Sequence, residues 1–217
     1  MYNLTKYIIV LSHLPIFVTS CYAIITFKKQ ETTLRVFSCF LFLSYLIQFA
    51  SLLFWFNSKN NMPLLHIYVG TSFLMLCLFY KKVLEGFISG ALIYAVAIVF
   101  LILTVLNSLF LQSIDTFNSY ALILESVLLI IFSLTTYILL LDKTVKEKRR
   151  SLISSINWIN SGIFMYYVSN LLIFYFSGYF IKYFSTEFNR YTWVLHSFFS
   201  VVMYTFFFIG IWKRPKN

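Results

Sequence analysis

The sequence predicts an all-α integral membrane protein, a bundle of seven transmembrane helices, and two observations support this fold class. The first is composition: of the 217 residues, 60% are hydrophobic and only 11% charged, and the mean hydropathy is +0.84. A water-soluble domain of this size cannot bury so large an apolar share. The second is seven separate apolar runs, each long enough at about 1.5 Å per residue to cross a hydrocarbon core of about 30 Å.

The predicted spans follow one another closely and form a single transmembrane domain over residues 1–217. The longest connections between them hold about a dozen residues, so no soluble domain is expected between the spans. The spans are predicted at residues 7–27, 36–56, 64–80, 87–107, 119–141, 154–180 and 191–212.

The distribution of Lys and Arg predicts the orientation of the bundle. Alternate connections are rich and poor in basic residues, and cytoplasmic connections are the ones that carry the excess. The sequence therefore predicts an N-terminus outside and a cytoplasmic C-terminus. Thirteen of the 17 basic residues fall on the predicted cytoplasmic side: Lys28, Lys29, Arg35, Lys81, Lys82, Lys143, Lys146, Lys148, Arg149, Arg150, Lys213, Arg214 and Lys216. The predicted outer side carries Lys6, Lys59, Lys182 and Arg190.

The net charge of +10 does not indicate a nucleic-acid partner. The basic residues lie in short clusters between apolar runs rather than on one face, which is the pattern of membrane topology. The expected partner is the lipid bilayer, and the expected location is a bacterial inner membrane, crossed several times.

The ionisable residues deep inside the predicted spans share one depth. His13, His66, Glu125 and His196 all lie within about 10 Å of the predicted outer surface, at about 1.5 Å per residue. An ionisable side chain inside a membrane is costly and marks a candidate functional site. The common depth predicts that some of these side chains meet.

Three interpretations of these histidines and this carboxylate are open: a metal site, a pocket for a ligand or a proton, and a purely structural network. Two imidazoles and one carboxylate form the ligand set of many zinc sites and of non-haem iron sites, which predicts a divalent metal, Zn or Fe, held by His66, Glu125 and His196. A pocket for an organic ligand or for proton sensing is the second. The third is a hydrogen-bonded network that only fixes helix packing.

Other polar residues inside the spans are predicted at a similar depth and are candidates for lining the same pocket. Each one alone is weak evidence, because polar groups in membrane bundles often serve as contacts between helices. The candidate ligand-binding residues are His13, Gln48, Tyr166, Asn170 and Ser200.

Three stretches of the chain carry short motifs: residues 60–68 followed by Phe79 and Tyr80, residues 157–162, and residues 193–196 followed by Tyr204. Together they resemble an uncharacterised group of seven-helix membrane proteins of Bacteroidota associated with sensor histidine kinases. The resemblance covers nearly the whole chain, and the residues that match the group are His66, Glu125, Trp158 and His196. The group carries Glu where this chain has Ser72. No biochemical activity comes with it, but it implies a histidine kinase or another signalling protein as a cytoplasmic partner.

The function expected from these patterns is that of a membrane sensor or receptor-like protein with an outward-facing pocket, and no catalytic residues are assigned. An intramembrane metal-dependent lipid hydrolase is the alternative, although such enzymes place two histidines one turn apart on the last helix, where this chain has only His196. A small-molecule transporter ranks third. Transporters with seven helices and internal repeats carry prolines in several helices, whereas this chain has only Pro15 inside a predicted span.

Overall fold

A computed structural model describes residues 2–142 and 150–215, and the described residues fold into helices without a β-strand. A short 3-10 turn, Phe27–Lys29, extends the second helix, and a π-helical turn, Asn107–Leu111, extends the fifth. The helices are α1 (Tyr2–Leu11), α2 (Leu14–Thr26), α3 (Thr32–Phe56), α4 (Met62–Val83), α5 (Gly90–Leu106), α6 (Ser119–Leu141), α7 (Arg150–Tyr183) and α8 (Thr186–Trp212).

Seven helical segments are long and apolar enough to cross a membrane, which confirms the predicted number of spans. The end of α1 and all of α2 together form the first span. The segments are Tyr7–Lys29, Thr32–Phe56, Met62–Val83, Gly90–Leu111, Ser119–Leu141, Ser151–Phe180 and Thr186–Trp212. The basic connection predicted to face the cytoplasm at 143–150 lies outside the described residues, apart from the first residue of α7.

The first span is broken at Ser12 and His13, inside what the sequence predicts as one continuous helix. Pro15 lies in the first turn of α2, and a proline has no N–H with which to continue the hydrogen bonds of the helix before it. The Ile9 carbonyl accepts instead from the Ser12 hydroxyl at 2.6 Å and from His13 Nδ1 at 2.9 Å. These side chains replace the backbone bond that the break removes.

The last two helices are longer than their apolar runs. Only two residues separate them, and the side chain of Ser185 caps α8 by accepting from the Phe188 N–H at 3.2 Å. Hydropathy marks the part of a helix that lies in hydrocarbon, whereas polar residues such as Asn189 and Arg190 extend the helix beyond it. The predicted connection at 181–190 is therefore mostly helix.

The bundle closes as a ring in which neighbouring helices pack in chain order and α8 returns to α2. The packing of α7 against α8 depends on two glycines. A Cβ on Gly210 would lie 2.6 Å from Ile159 Cγ1, and one on Gly162 would lie 3.0 Å from atoms of both Phe206 and Phe207. Small residues allow helix backbones to approach closely in membranes, and here they bring the last two helices together.

The centre of the bundle is apolar and aromatic. Phe37 of α3 packs edge-on against Phe207 of α8 with ring centroids 4.9 Å apart, and both rings are fully buried. A separate polar contact joins three helices, since the Tyr80 hydroxyl lies 2.8 Å from Ser133 Oγ and donates to Asn160 Oδ1 at 2.9 Å. These contacts close the bundle below the cavity described next.

Candidate ligand-binding cavity

A cavity of about 620 Å³ opens at the end of the bundle where α3 ends and where α4, α6 and α8 begin. The break between α1 and α2 forms one wall of it. Its polar lining consists of Ser12, His13, Gln48, Ser51, Asn61, Tyr68, Tyr166, Thr186, Asn189, Arg190, His196, Ser197, Ser200 and Tyr204. Its apolar lining consists of Ile9, Ile47, Leu52, Trp55, Met62, Leu64, Leu65, Phe117, Leu122, Phe174, Trp193 and Met203.

Most of the residues predicted to bind a ligand line this cavity. His13, Gln48, Tyr166 and Ser200 are part of its wall, and so is His196, which the sequence analysis placed among the metal ligands. Asn170 is fully buried behind the wall and reaches the cavity through its contact with His196. Five side chains predicted at similar depths thus surround one space, although their role in binding stays a prediction.

His196 is held in one orientation by the neighbouring helix. Its Nδ1 lies 2.8 Å from Asn170 Oδ1, and the Asn170 amide is itself fixed because its Nδ2 donates to the Tyr166 carbonyl at 2.9 Å. An amide oxygen only accepts, so Nδ1 of the imidazole carries the proton. A neutral His196 ring then has its acceptor lone pair on Nε2, which has no hydrogen-bond partner among the described residues.

Aromatic rings surround the same imidazole. The rings of Tyr166 and Phe174 have centroids 5.7 Å from that of His196, and the Trp193 ring stands nearly perpendicular to it at 5.6 Å. Contacts of this kind restrict ring rotation. His196 is therefore a positioned hydrogen-bond acceptor in a mainly apolar wall.

His13 has the same arrangement in the wall formed by the first span. Its Nδ1 donates to the Ile9 carbonyl at 2.9 Å, so the lone pair of a neutral ring lies on Nε2. The break in the first span therefore has a consequence for the site, because it turns a helical histidine into a lining residue with an open ring nitrogen.

The deep end of the cavity is formed by hydroxyl and amide groups that bond to one another. Gln48 Nε2 donates to the Tyr204 hydroxyl at 2.7 Å, and this bond joins α3 to α8. The Tyr68 side chain of α4 lines the same cavity. These groups give the cavity a polar floor.

His66 lies outside the cavity, although it was predicted at the same depth. It is buried between α4, α5 and the connection to α6, with Nδ1 2.7 Å from Ser108 Oγ and Nε2 3.1 Å from the Thr116 carbonyl. Both ring nitrogens are engaged. The contacts of this histidine hold the turn after α5 in place.

Glu125 also has partners of its own. It is only 1% exposed, and Oε1 accepts from Ser72 Oγ at 2.7 Å and from the Tyr167 hydroxyl at 3.1 Å. The described residues contain no group of three or more His, Cys, Asp or Glu side chains that could hold a metal ion. The predicted metal ligands His66, Glu125 and His196 thus lie in three separate networks, and the metal site stays a prediction.

A second cavity of about 480 Å³ lies at the opposite end of α4, in the turn that leads to α5. It is lined by residues 81–90, and none of the residues predicted to bind a ligand or a metal contributes to it. The larger cavity is therefore the candidate site.

Comparison of the sequence and structure with protein-family models, curated proteins and solved structures finds no significant match.

Several lining residues were not predicted as site residues, among them Ser51, Tyr68, Arg190, Trp193 and Tyr204. A helical spacing links some of them to predicted ones. Ser51 follows Gln48 by three residues, and Trp193 precedes His196 by three, so each pair lies on one helix face. Extending each predicted residue along its helix by three or four positions would have found Ser51, Trp193 and Tyr204, but not Tyr68 or Arg190.

Proposed function

We propose that the chain is a receptor-like protein of a bacterial inner membrane that binds a small molecule in its large cavity and signals to a cytoplasmic partner. The observation that supports this proposal most directly is the cavity itself. Its volume lies in the range of about 300–1,000 Å³ that is typical of small-molecule sites, and it combines apolar walls with a few positioned polar groups.

The proposed orientation places the cavity on the outer side, with the N-terminus outside and the C-terminus in the cytoplasm. The support is the excess of Lys and Arg in alternate connections. The helix ends that surround the cavity carry few basic residues, whereas the opposite end of α4 carries Lys81 and Lys82. An occupant would then enter from outside the cell.

The proposed signal passes through the helices, because the cavity touches most of them. Gln48 of α3 is hydrogen-bonded to Tyr204 of α8 at its floor, Tyr68 of α4 lines the same cavity, and these three helices continue to the opposite end of the bundle. An occupant that favours one arrangement of these helices shifts the population of their cytoplasmic ends. A histidine kinase is the proposed partner, supported by the resemblance given above.

An organic occupant is favoured over a metal ion. His66 and Glu125 have protein partners away from the cavity, so they do not join His196 at one point. A metal-dependent hydrolase needs such a point, together with a bound water. Elemental analysis of the purified protein tests this preference. One equivalent of Zn or Fe per chain in the wild type, lost in His196→Ala, would favour a metal site instead.

The proposal is tested by identifying what the protein carries from its own membrane. Wild-type protein and Ser200→Trp, which fills the cavity, are purified in parallel, extracted with organic solvent and compared by mass spectrometry. A small molecule near one equivalent per chain, present in the wild type and depleted in Ser200→Trp, is the expected result. Thr205→Trp is the matched control, because Thr205 is exposed on the same helix and does not line the cavity. Equal extracts from all three proteins would contradict the proposal.

A further inference from the structure

The two histidines of the cavity wall each leave one acceptor open. His13 and His196 both commit Nδ1 to an oxygen atom of the protein, at 2.9 Å and 2.8 Å. The lone pair of each neutral ring is therefore on Nε2, which has no hydrogen-bond partner among the described residues. A neutral imidazole of this kind can accept a proton donor from an occupant but cannot donate to it.

Two amides of the same lining add further acceptors. Asn61 donates from Nδ2 to Ser51 Oγ at 2.9 Å, and Asn189 donates from Nδ2 to the carbonyls of Phe180 and Ser185 at 3.1 Å and 3.3 Å. The Oδ1 atom of each amide has no partner in the described part of the chain. The hydroxyl groups of the wall can turn to either role, whereas these amide oxygens and ring nitrogens are fixed as acceptors.

Aromatic rings continue the wall beside His196. The ring of Phe117 has its centroid 5.1 Å from that of Trp193 and 6.3 Å from that of Phe174. All three rings line the cavity, and Trp193 and Phe174 also contact the imidazole of His196. An aromatic occupant next to His196 can therefore pack against the faces and edges of these rings.

The charges of the lining favour an uncharged occupant. No Asp or Glu belongs to the described residues that line the cavity, so a buried ammonium group would lack a counter-charge. Arg190 lines the cavity but already has an interaction partner in the protein. A carboxylate has no proton to donate to an imidazole lone pair. A neutral group with a proton to donate satisfies the open acceptors.

We propose that the occupant is an uncharged phenol, whose hydroxyl donates a hydrogen bond to Nε2 of His196 and whose ring packs against Trp193, Phe174 and Phe117. The hydroxyl supplies the donor that the imidazole lacks, and the ring matches the aromatic wall. The bond from His196 Nδ1 to Asn170 fixes the tautomer, so the acceptor is in place before the phenol binds.

The inference rests on the proposed function of the cavity as a ligand site, and the test separates the two. The probes are 4-propylphenol, its methyl ether and 1-fluoro-4-propylbenzene, which share one aromatic body, and of which only the phenol donates. At about pH 8 the phenol stays neutral, because phenols ionise near pH 10. Binding is measured by equilibrium dialysis of protein in zwitterionic nanodiscs against empty nanodiscs, which corrects for partition into lipid. The phenol is expected to bind about five- to tenfold more tightly than the other two probes, as one hydrogen bond predicts.

Nitrogen-15 NMR of histidine-labelled wild type observes the hydrogen bond itself. The phenol is expected to move the Nε2 signal of His196 towards the chemical shift of a protonated nitrogen, whereas the methyl ether is expected to leave it in place. His66 is the internal control, because Ser108 and Thr116 already engage both of its ring nitrogens. This measurement needs no variant other than those that assign the signals.

The variants locate the donor. His196→Phe keeps an aromatic ring but removes the acceptor, and it is expected to reduce phenol binding to the level of the methyl ether. Thr205→Val is the matched control, because it removes a polar group from the same helix at an exposed residue whose hydroxyl donates to the Val201 carbonyl outside the cavity. Ser200→Trp is expected to abolish binding of all three probes, and Ser51→Phe serves the same purpose if Ser200→Trp does not fold.

Three results would overturn the inference, and one of them would also overturn the proposed function. Equal binding of the three probes, abolished by Ser200→Trp, would leave a ligand cavity without a preference for donors. A phenol preference that survives His196→Phe, with an unmoved Nε2 signal in the wild type, would remove His196 as its acceptor. Probe binding that survives both Ser200→Trp and Ser51→Phe would place the probes outside the cavity, which would then lose its role as a ligand site.

Discussion

His196 on α8 and Asn170 on α7 are joined by a hydrogen bond of 2.8 Å between Nδ1 and the amide oxygen, and this bond decides which ring nitrogen faces the cavity. The Asn170 amide cannot turn without losing its bond to the Tyr166 carbonyl. The orientation of an imidazole that lines the cavity is thus set by a residue that does not itself line it. The three histidines of the chain differ in which ring nitrogen faces a carbonyl oxygen, so the position of the ring proton can be measured for each of them.

The first prediction concerns the tautomers of these histidines. In neutral rings His13 and His196 are expected to carry the proton on Nδ1, because each Nδ1 faces a carbonyl oxygen, whereas His66 is expected to carry it on Nε2, which faces the Thr116 carbonyl. Nitrogen-15 NMR of histidine-labelled protein distinguishes the two forms. Single His→Gln variants assign the three signals.

Asn170→Ala is expected to convert only the His196 signal into a mixture of tautomers, because the acceptor at Nδ1 is lost. Asn57→Ala is the control, since that exposed amide donates to its own helix at the Leu53 carbonyl and touches no histidine. A pure Nε2–H form of His196 in the wild type would show that the ring is turned over and that the described contact is wrong.

The second prediction concerns the buried carboxyl of Glu125. Glu125→Gln retains an oxygen that accepts from Ser72 and Tyr167, so the free energy of unfolding is expected to change by less than about 1 kcal/mol. Glu125→Leu leaves two buried hydroxyls without this acceptor and is expected to cost about 2 kcal/mol or more. Denaturant unfolding in detergent micelles measures both.

Glu31→Gln controls for the loss of one negative charge, since Glu31 is exposed and its side chain makes no capping bond. A Glu125→Gln variant as unstable as Glu125→Leu would mean that the charge of the carboxylate, rather than its hydrogen bonds, holds this part of the bundle together. Loss of a bound metal in Glu125→Gln would revive the predicted metal site.

Hydropathy predicted the spans well, because a helix that crosses a bilayer needs an apolar run of a definite length, and that run is visible in the sequence. Each of the seven runs became a helix, and the differences lie at their ends and at the Ser12–His13 break. Pro15 was visible in the sequence. Its effect on the helix was not predicted, because a proline in a first turn is tolerated and only the bonds of Ser12 and His13 to Ile9 show that a new helix begins there.

The candidate site was predicted in part, and the reason is geometric. Counting residues along a helix gives depth, at about 1.5 Å each, but it does not give the direction in which a side chain points. His13, His66, Glu125 and His196 were predicted at similar depths, yet only His13 and His196 face the cavity. His66 faces Ser108 and Glu125 faces Ser72, contacts that depend on how the helices are rotated against one another.

The third prediction tests the contact between α7 and α8. Gly210→Ala adds a methyl group where a Cβ would lie 2.6 Å from Ile159 and 3.1 Å from the Ser155 carbonyl, so it is expected to destabilise the protein by about 1–3 kcal/mol. Gly178→Ala is the matched control, because a Cβ there meets nothing within 4 Å. Thermal unfolding should show a lower midpoint for Gly210→Ala alone. Equal midpoints for the two variants would show that the helices do not pack this closely.

The fourth prediction tests the orientation that places the cavity outside the cell. A reporter fused after residue 217 is expected to report the cytoplasm, and one inserted in the connection at 112–118 is expected to report the outside. An odd number of spans puts the two termini on opposite sides of the membrane, and the excess of basic residues predicts which side is the cytoplasm. Paired reporters, one active only in the cytoplasm and one only outside, measure this. A cytoplasmic signal from both positions would remove the outward-facing cavity.

The last prediction concerns the proposed partner and the basic connection before α7. A sensor needs a cytoplasmic surface that a partner can read, and residues 143–150 carry five basic side chains there if the proposed orientation holds. Neutralising Lys146, Lys148, Arg149 and Arg150 to Gln is expected to weaken association with a co-expressed histidine kinase at least severalfold, while probe binding in the cavity is retained. Co-purification and nanodisc binding assays measure the two effects on the same protein, after insertion has been checked with the orientation reporters. Neutralising Lys28, Lys29 and Arg35 is the control, since these residues occupy the first cytoplasmic connection. An equal loss in both variants would mean that the basic residues act as general anchors to anionic lipid.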